Sequence, residues 1–397
     1  MADILIRPGQ LRGDVIPPPS KSDAHRALIA ASLAGAPGSV AGLPDPVSDD
    51  IGATQRCLAA LMAGENRLDC HESGTTLRLL IPVAAALNDP GRSLEFDGSG
   101  RLPQRPLGEY KPMLGGHGID LDFPEDAYLP LRMRGRLTPG VFQVPGHISS
   151  QYLSGLLFAL PLLAGDSEIR LTSALESAPY VEMTLRTLRA FGVAARATPA
   201  GYIVPGGQRY QPSPYLVEKD YSQAAFWLTA AFAGSRLSVS GLSDSSAQGD
   251  RAIIGLLADF KSVRRSYLID ASQIPDLVPI LAVAAALTPA ETLITKAARL
   301  RLKESDRLLA TEQALSAIGV RISQTDDGLI IQGGHPLEGG EADSWADHRI
   351  AMALAIAALS TRKGVLIRRA EAVRKSYPEF FREFKRLGGD IDGLNLG

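Results

Sequence analysis

Two acidic residues in the second half of the sequence are candidates for a site. Asp276 follows an Ile-Pro pair just before an apolar segment, and Glu304 follows Lys303 in a run of alternating charge. A carboxyl group can act in general acid–base chemistry, although helix capping and ion pairing are common alternatives. The spacing alone leaves a second interpretation of Asp276 open, because aspartate at this position can simply cap a helix.

Basic residues are concentrated at a few places, although the chain is slightly acidic overall. It has 397 residues with 41 Lys+Arg and 43 Asp+Glu, a net charge of −2, so no general field attracts nucleic acid or an anionic membrane. The concentrated basic residues are Lys21, Arg26, Arg78, Arg105, Arg301, Lys303, Arg307, Arg349, Arg374 and Lys375. Any single one could be a solvated surface charge. As a set they predict a local site for a ligand with several phosphates or carboxylates.

Other familiar kinds of site are not indicated. The 6 histidines form no paired metal pattern, and neither a Walker A sequence nor G-x-G-x-x-G is present. Cys57 and Cys70 have no metal-ligand spacing and favour unpaired thiols in a reducing compartment. The first residues contain no apolar run of signal-peptide length, and the most apolar stretches, 153–163 and 277–287, are too short to span a membrane. We therefore expect a cytoplasmic, soluble protein that binds neither nucleic acid nor membrane.

The elements that must position these residues recur six times along the chain. Each time a polar cluster runs directly into an Ala/Leu-rich segment that suits a buried helix. The clusters are marked by Lys21, Gly74, Ser149, Ser222, Asp276 and His348. Successive markers lie 53, 75, 73, 54 and 72 residues apart, so the pair 53 and 75 recurs as 54 and 72. This match disfavours chance recurrence and predicts three units, duplicated.

Two similar lobes follow from the duplication. We expect each unit to be β-α-β-α-β-β, with the apolar helices buried, in an α/β fold. The helix starts are predicted at residues that favour N-termini, namely Ser20, Ser73, Ser149, Asp220, Pro275 and Asp347. Pro-rich stretches at 17–19 and 211–214 predict two crossovers that act as a hinge, with the first strand of the chain joining the C-terminal half. The expected lobes are residues 20–216 and residues 1–19 plus 217–397. Helix N-termini that converge on one cleft would form an anion site.

Nine sequence pieces, in this order, carry a resemblance to a known family. They read SKSDAHRAL, SGTTLRLL, GRLPQRPLG, SSQYLSGLL, SAPYVEMTL, IPDLVP, RLKESDRL, DHRIAMAL and RKSYPEFF. The chain resembles the 5-enolpyruvylshikimate-3-phosphate synthase (3-phosphoshikimate 1-carboxyvinyltransferase) family over nearly its full length. The resemblance implies two lobes of three β-α-β-α-β-β units with helices running inward, an inside-out α/β barrel.

The same resemblance implies a reaction and its substrates. The enolpyruvyl group of phosphoenolpyruvate would move to the 5-hydroxyl of shikimate 3-phosphate, through a tetrahedral intermediate that expels phosphate. This is a step of the shikimate pathway to chorismate and the aromatic amino acids. No metal or organic cofactor is implied, and we expect a monomer.

Site residues are carried over position by position. The resemblance implies that shikimate 3-phosphate is held by Lys21, Ser22, Arg26, Ser149, Ser150, Gln151, Ser177, Asp276 and Lys303. It implies that phosphoenolpyruvate is surrounded by Lys21, Gly74, Arg105, Gln151, Arg307, Arg349 and Lys375. The catalytic positions are Asp276, Lys303 and Glu304, with Lys21. Glu304 would protonate the methylene carbon, and Asp276 would orient the 5-hydroxyl and accept its proton.

Three positions depart from the family pattern and bear on affinity more than on reaction type. They are Asp23-Ala24, Glu72, where asparagine is common, and Ala178, where some members have a basic residue. Gly74 resembles the form that binds the inhibitor glyphosate, so we expect sensitivity to it.

Two other functions are alternatives. The sister enzyme that acts on UDP-N-acetylglucosamine shares the implied fold, but it usually has a reactive cysteine in the loop that here spans 98–106, and this loop has none. A non-catalytic anion-binding protein on the same scaffold would not need both Asp276 and Glu304.

Overall fold

The chain forms two compact units in a computed structural model that describes residues 3–262 and 265–393. The N-terminal unit is Lys21–Glu218, and the C-terminal unit comprises the described residues up to Ser20 and from Lys219 onward. Each unit has its own buried hydrophobic core. Residues 1–2, 263–264 and 394–397, which belong to the predicted C-terminal lobe, lie outside the described part of the chain.

The described elements alternate between helices and short strands along the chain. The α-helices are α1 (Lys21–Leu33), α2 (Asp49–Met62), α3 (Gly74–Leu87), α4 (Tyr110–Gly115), α5 (Ser150–Ala159), α6 (Ala178–Ala190), α7 (Tyr221–Phe232), α8 (Ile253–Phe260), α9 (Val278–Leu287), α10 (Arg307–Ser316), α11 (His348–Ala358) and α12 (Phe380–Arg386). The strands are β1 (Ile4–Ile6), β2 (Arg12–Val15), β3 (Val40–Ala41), β4 (Arg67–Asp69), β5 (Leu94–Asp97), β6 (Ile119–Asp122), β7 (Leu131–Gly135), β8 (Val141–Val144), β9 (Ser167–Leu171), β10 (Arg196–Thr198), β11 (Gly201–Val204), β12 (Tyr215–Leu216), β13 (Arg236–Val239), β14 (Ser266–Asp270), β15 (Glu291–Thr295), β16 (Arg321–Gln324), β17 (Leu329–Gln332), β18 (Gly340–Asp343), β19 (Val365–Arg368) and β20 (Ile391–Asp392).

Two four-stranded sheets and one strand pair make up the N-terminal unit. The sheet orders are β4-β5-β7-β6 and β10-β11-β9-β8, and in each the strands that flank the buried helix are parallel while the other pairs are antiparallel. The third sheet is the parallel pair β12-β3. Helices α3 and α5 each connect the parallel strands of a four-stranded sheet, which is why they are enclosed by the unit.

The C-terminal unit repeats this layout with strands from both ends of the chain. Its sheets are β14-β15-β17-β16, β18-β19-β1-β20 and the parallel pair β13-β2. Strand β1 pairs antiparallel with β19 and β20, with Ile4 opposite Ile367. The first strand of the chain therefore joins the C-terminal half, as the sequence predicts.

Two details of the architecture differ from the expected units. In the first unit of each half, no strand is described between α2 and β4, nor at residues 261–262 and 265 between α8 and β14. In these units the buried helix is followed by a strand that pairs only with a strand from the crossover, giving β12-β3 and β13-β2. The inside-out barrel is not closed either, since the described sheets are separate, with edge strands of their own. The mixed α/β class with buried helices is confirmed.

Polar residues at the predicted helix starts cap the N-termini of buried helices. Ser73, Ser149, Asp220 and Asp347 each accept a hydrogen bond from a backbone N–H in the first turn of α3, α5, α7 or α11. Helix α9 differs, because Pro275–Leu277 forms a 3-10 helix before it. The bodies of α9 and α11 are buried almost throughout. No helix in the described ranges has the length and apolarity needed to cross a membrane.

Candidate active site

The residues predicted to form the site lie in two groups, one in each unit. The N-terminal group is Lys21, Ser22, Arg26, Gly74, Arg105, Ser149, Ser150, Gln151 and Ser177, at or near the starts of α1, α3, α5 and α6. The C-terminal group is Asp276, Lys303, Glu304, Arg307, Arg349 and Lys375, around the starts of α9, α10 and α11. Both groups thus lie near helix N-termini, where the helix dipole favours an anion.

Arg26 joins the start of α1 to α6. Its guanidinium is 2% exposed, donates from Nε to Thr184 at 2.8 Å and from Nη1 to the carbonyl of Ser22 at 2.6 Å, and lies 5.9 Å from the ring centroid of Tyr180. Burial lowers the pKa of Arg26 to about 10, so it stays charged at neutral pH. The charge is held rigidly beside Ser22.

Lys21 begins α1 and is paired with a residue that the sequence interpretation did not assign. Its Nζ lies 2.6 Å from Oδ2 of Asp50 in the first turn of α2, and the two side chains are 15% and 10% exposed. A partly buried pair of this kind holds the ammonium in one place.

The start of α3 is in close contact with Arg105. Gly74 is buried, and the guanidinium of Arg105, itself 7% exposed, lies against it. Glu72, the departure from the family pattern, covers Gly100, because a Cβ on that glycine would lie 2.5 Å from Oε2 of Glu72. The charge of Arg105 is therefore placed at the N-terminus of a buried helix.

Gln151 connects α5 to α3 through two hydrogen bonds. Its Oε1 accepts from Nη1 of Arg78 at 3.1 Å, and its Nε2 donates to Thr75 Oγ1 at 2.9 Å. Ser149 caps the helix by accepting from the N–H of Gln151 at 3.2 Å, and Ser150 is 6% exposed. Arg78 also donates to the carbonyl of Pro106 at 3.1 Å, so it ties Gln151 to the loop that carries Arg105.

Ser177 has a left-handed backbone at the start of α6. Its φ is +56°, and it is 4% exposed. Its carbonyl accepts from the N–H of Tyr180 at 3.0 Å. Non-glycine residues with such a φ are strained and concentrate at functional sites, which fits the predicted phosphate contact.

Asp23, in the first turn of α1, is an unusual carboxyl group in the N-terminal unit. It is 4% exposed and accepts from the hydroxyl of Tyr215 at 2.7 Å and from the N–H of Glu218 at 3.1 Å. Burial raises the pKa of Asp23 to about 6, although these hydrogen bonds oppose the shift. Asp23 therefore attaches the last residues of the unit to the helix that carries Lys21.

Arg307 is the centre of the C-terminal group. The side chain is 1% exposed and binds three carboxylates, with Nε to Asp347 at 2.9 Å, Nη1 to Asp276 at 3.0 Å and Nη2 to Glu304 at 2.6 Å. Burial alone would lower the pKa of Arg307, but the charges of Asp347, Glu304 and Asp276 raise it. One guanidinium thus fixes both candidate acid–base groups, Asp276 and Glu304.

Asp276 is surrounded by cations. Besides Arg307, its Oδ2 lies 3.0 Å from Nη2 of Arg349 and its Oδ1 lies 3.7 Å from Nζ of Lys303. Burial raises the pKa of this carboxyl, but Arg349, Lys303 and Arg307 outweigh burial and hold the pKa well below its usual range. The side chain is 16% exposed and stays ionised as long as these cations surround it.

Asp347 anchors the same network from the start of α11. It is fully buried and accepts from Ser305 Oγ at 3.0 Å and from the N–H of Arg349 at 2.9 Å. Lys375 reaches this helix start as well, because its Nζ donates to the carbonyl of Ala346 at 3.0 Å. All six predicted residues of the C-terminal group therefore belong to one contact network or adjoin it.

Sequence reasoning missed one buried carboxyl group in this unit. Asp250 is 2% exposed and accepts a hydrogen bond from Ser222 Oγ. Burial, followed by repulsion from the charge of Asp276, raises the pKa of Asp250 to about 7. No motif in the sequence marks this position. Asp347, which the sequence predicts as the start of a helix, caps α11 and also pairs with Arg307.

Comparison with known proteins identifies the family. A family model described as EPSP synthase (3-phosphoshikimate 1-carboxyvinyltransferase) matches residues 6–384. Curated proteins named 3-phosphoshikimate 1-carboxyvinyltransferase are 42% identical in Clostridium acetobutylicum, over 99% of both chains, and 41% identical in Clostridium kluyveri, over 100% of both chains. The chain belongs to the EPSP synthase family.

Solved structures agree with this family at the level of the fold. The EPSP synthase of Acinetobacter baumannii superposes with a TM-score of 0.78 at 24% identity, over 99% of both chains. The enolpyruvyl transferase NikO of Streptomyces tendae superposes with a TM-score of 0.73 at 17% identity, over 98% of both chains.

EPSP synthase membership decides between the functions considered from the sequence. The chain is an enzyme, a transferase of the shikimate pathway to the aromatic amino acids. The family and its curated relatives support this over a UDP-N-acetylglucosamine transferase and over a non-catalytic binding protein.

Proposed function

We propose that the chain transfers the enolpyruvyl group of phosphoenolpyruvate to the 5-hydroxyl of shikimate 3-phosphate and releases phosphate. One observation carries the proposal beyond family membership: Arg307 holds Asp276 and Glu304, at 3.0 Å and 2.6 Å, next to the ammonium of Lys303. The reaction needs one proton delivered to the methylene carbon of phosphoenolpyruvate and one removed from the acceptor hydroxyl. Two fixed carboxyl groups among cations suit that requirement.

Shikimate 3-phosphate is bound in this proposal by hydroxyl and cationic groups at helix starts. The proposed residues are Lys21, Ser22, Arg26, Ser149, Ser150, Gln151, Ser177, Asp276 and Lys303. Support comes from the burial of Arg26 beside Ser22 and from the strained backbone of Ser177. Hydroxyl groups and backbone N–H groups at helix N-termini are suitable donors to phosphate.

Phosphoenolpyruvate, like shikimate 3-phosphate, brings a phosphate and a carboxylate, so it too needs positive charge around it. The proposed residues are Lys21, Gly74, Arg105, Gln151, Arg307, Arg349 and Lys375. Because each substrate is an anion, binding both requires cations that offset their mutual repulsion. The guanidinium groups of arginines suit both the planar carboxylate and the tetrahedral phosphate of phosphoenolpyruvate. Gly74 leaves room for Arg105 at the start of α3.

Binding of the anions also explains how Asp276 could act as a base. Its carboxylate is too well stabilised by Arg349, Lys303 and Arg307 to accept a proton readily. Substrate anions that draw Arg349 or Lys303 away would remove that stabilisation and raise the basicity of Asp276. Asp276 then orients the 5-hydroxyl and takes its proton as the new bond forms. Glu304 protonates the methylene carbon and takes a proton back when phosphate leaves.

We further propose that the enzyme works in the cytoplasm as a monomer, without a cofactor and without binding nucleic acid. The two unpaired, buried cysteines support a cytoplasmic location, and the net charge of −2 supports the proposal that nucleic acid is not bound.

A phosphate-release assay with purified protein tests the proposal. Phosphoenolpyruvate is supplied alone, with shikimate 3-phosphate, or with UDP-N-acetylglucosamine. We expect release only with shikimate 3-phosphate, with enolpyruvylshikimate 3-phosphate as the product by mass spectrometry. Release with UDP-N-acetylglucosamine instead, or with neither acceptor, contradicts the proposal.

A further inference from the structure

Two sets of hydrogen-bonded polar side chains, the Lys21–Asp50 pair and a chain from His25 to Ser73, lie in the core of the N-terminal unit between α1, α2 and α3. We call the two sets together the polar ladder; its members are Lys21, His25, Asp50, Thr54, Thr76 and Ser73. On α1 and α2 the members lie one helical turn apart, so two rungs stack in register. The first is the ion pair of Lys21, and the second joins Nδ1 of His25 to Oγ1 of Thr54 at 2.6 Å.

The ladder continues into the start of α3. Oγ1 of Thr54 lies 2.6 Å from Oγ1 of Thr76, which donates to Oγ of Ser73 at 2.7 Å. Ser73 is the N-cap of α3 and also accepts from the N–H of Thr76 at 3.2 Å. The ladder therefore ends one residue before Gly74, against which Arg105 lies.

The ladder is buried and costly to leave incomplete. His25, Thr54, Thr76 and Ser73 are each 0% exposed, and their neighbours on the three helices are mostly apolar core residues. Polar groups in such surroundings are tolerated only when their hydrogen bonds are made, and removal of one partner leaves the next unsatisfied. A disturbance at Thr54 is therefore transmitted to His25 on one side and to Thr76 and Ser73 on the other.

The direction of the hydrogen bonds follows from the ring of His25. Its Nε2 has no partner among the described residues, and burial keeps the pKa of this imidazole well below its usual value, so the ring is neutral. If the ring carries its proton on Nδ1, that N–H donates to Thr54, whereas a proton on Nε2 would be buried without an acceptor. His25 then donates to Thr54, Thr54 to Thr76, and Thr76 to Ser73, so every donor points toward the cap of α3.

We propose that the polar ladder fixes the start of α3, with Gly74 and Arg105, relative to Lys21 on α1. In this role His25, Thr54 and Thr76 are positioning residues that touch no substrate. Apolar packing alone leaves small shifts along a helix inexpensive, whereas the directional hydrogen bonds of the ladder favour one arrangement. The kinetic consequence rests on the proposed function, because it assumes that Lys21, Gly74 and Arg105 bind phosphoenolpyruvate. The structural part does not depend on it.

Isosteric variants test the ladder with two independent readouts. Thr54→Val and Thr76→Val remove a hydroxyl without changing the shape of the side chain, and Thr76→Ser retains the hydroxyl. The control is Thr288→Val, because Thr288 is also buried but donates only to the carbonyl of Ala284 at 2.9 Å, in the other unit. The readouts are amide hydrogen exchange of peptides that cover the starts of α1 and α3, and steady-state kinetics with both substrates.

In Thr54→Val we expect faster exchange at the start of α3, although Thr54 makes no hydrogen bond to that backbone. In both valine variants the KM for phosphoenolpyruvate should rise roughly tenfold or more, and by a larger factor than the KM for shikimate 3-phosphate. Thr76→Ser should restore the wild-type KM, and Thr288→Val should leave exchange at α3 and both KM values unchanged.

The outcomes separate the two proposals. Wild-type exchange at α3 in Thr54→Val, or wild-type KM values in both valine variants of an active enzyme, overturns the ladder. If the wild-type protein releases no phosphate from the two substrates, the proposed function fails. The exchange measurement then decides the structural part by itself.

Discussion

The guanidinium of Arg105 lies so close to Gly74 that no side chain fits between them. A Cβ on Gly74 would be 2.3 Å from Nη1 and 2.6 Å from Cζ of Arg105, far inside van der Waals contact. Glycine at the start of α3 is therefore what allows the positive charge to reach the helix N-terminus.

Gly74→Ala should displace Arg105 and weaken binding of phosphoenolpyruvate. We expect its KM to rise roughly tenfold, with a smaller change for shikimate 3-phosphate, because a displaced charge no longer meets the anion. Gly91→Ala is the matched control, since nothing lies within 4 Å of a Cβ at that position. Unchanged kinetics in Gly74→Ala would show that Arg105 does not contact this substrate.

Glyphosate should inhibit the wild-type enzyme, as the resemblance at Gly74 implies. Its inhibition constant should rise in Gly74→Ala and stay unchanged in Gly91→Ala, because only the first variant moves Arg105. Full wild-type activity in millimolar glyphosate refutes the expected sensitivity.

Arg307→Lys should destabilise the C-terminal unit as well as abolish activity. A lysine can meet only one of the three carboxylates that Arg307 binds, so the others remain buried with less positive charge nearby. Breaking a buried pair in this way costs about 3 kcal/mol or more of unfolding free energy. Denaturant unfolding measures the loss.

The control for this change is Arg382→Lys. The exposed ion pair of Arg382 with Glu379 should contribute less than about 1 kcal/mol to the free energy of unfolding. Equal stability of the Arg307→Lys and wild-type proteins contradicts the network described here.

The pH dependence of stability should show the titration of Asp23. Its pKa is about 6 in the folded protein against 3.8 as the ordinary value, so the folded state binds this proton more tightly. The contribution of protonated Asp23 to the free energy of unfolding is therefore fully present below pH 4. This contribution, at most about 3 kcal/mol, is lost as the pH rises through 6. Asp23→Asn should remove this slope.

The measurement compares unfolding free energies of the two proteins between pH 4 and pH 7, because their difference cancels other titrating groups. Arg26 and Glu218 are the charged groups that face Asp23, and neither changes in the variant. Parallel profiles would mean that Asp23 is ionised throughout this range.

The two thiols should be unreactive in the native protein. Cys57 and Cys70 are 1% and 0% exposed, with sulfur atoms 3.9 Å apart. The hydrogen bond with Cys57, together with burial, raises the pKa of Cys70 well above its ordinary value, so little thiolate forms. A thiol reagent at pH 8 should label both only after denaturation. Rapid labelling of the folded protein contradicts this burial.

The sequence predicted the repeated elements well because their signals are local. A polar cap such as Ser73 or Asp347 followed by an Ala/Leu-rich run identifies a buried helix without any knowledge of its partners. The missing strands after α2 and α8 were not predictable in this way. In these units the strands β3 and β13 pair instead with β12 and β2, which come from distant parts of the chain.

Individual site residues were identifiable from motifs, but their partners were not. Lys21 is evident in its motif, whereas Asp50 is one of two adjacent aspartates, and only the packing of α2 against α1 selects it. Asp250 shows the same limit, because its buried position depends on Ser222 and on the charges around Asp276. Pairs of side chains from different helices or strands can be recognised only when the tertiary structure is known.

Replacement of Glu304 by Gln tests the central claim most directly. Glutamine can still accept a hydrogen bond from Arg307, so the site should keep its shape while losing its proton donor. We predict that phosphate release falls a hundredfold or more, roughly the contribution of general acid catalysis. Calorimetric binding of shikimate 3-phosphate should stay within about threefold of wild type, and the exposed control Glu379→Gln should change neither. Turnover near the wild-type rate in Glu304→Gln would contradict the assignment of this carboxyl group to catalysis.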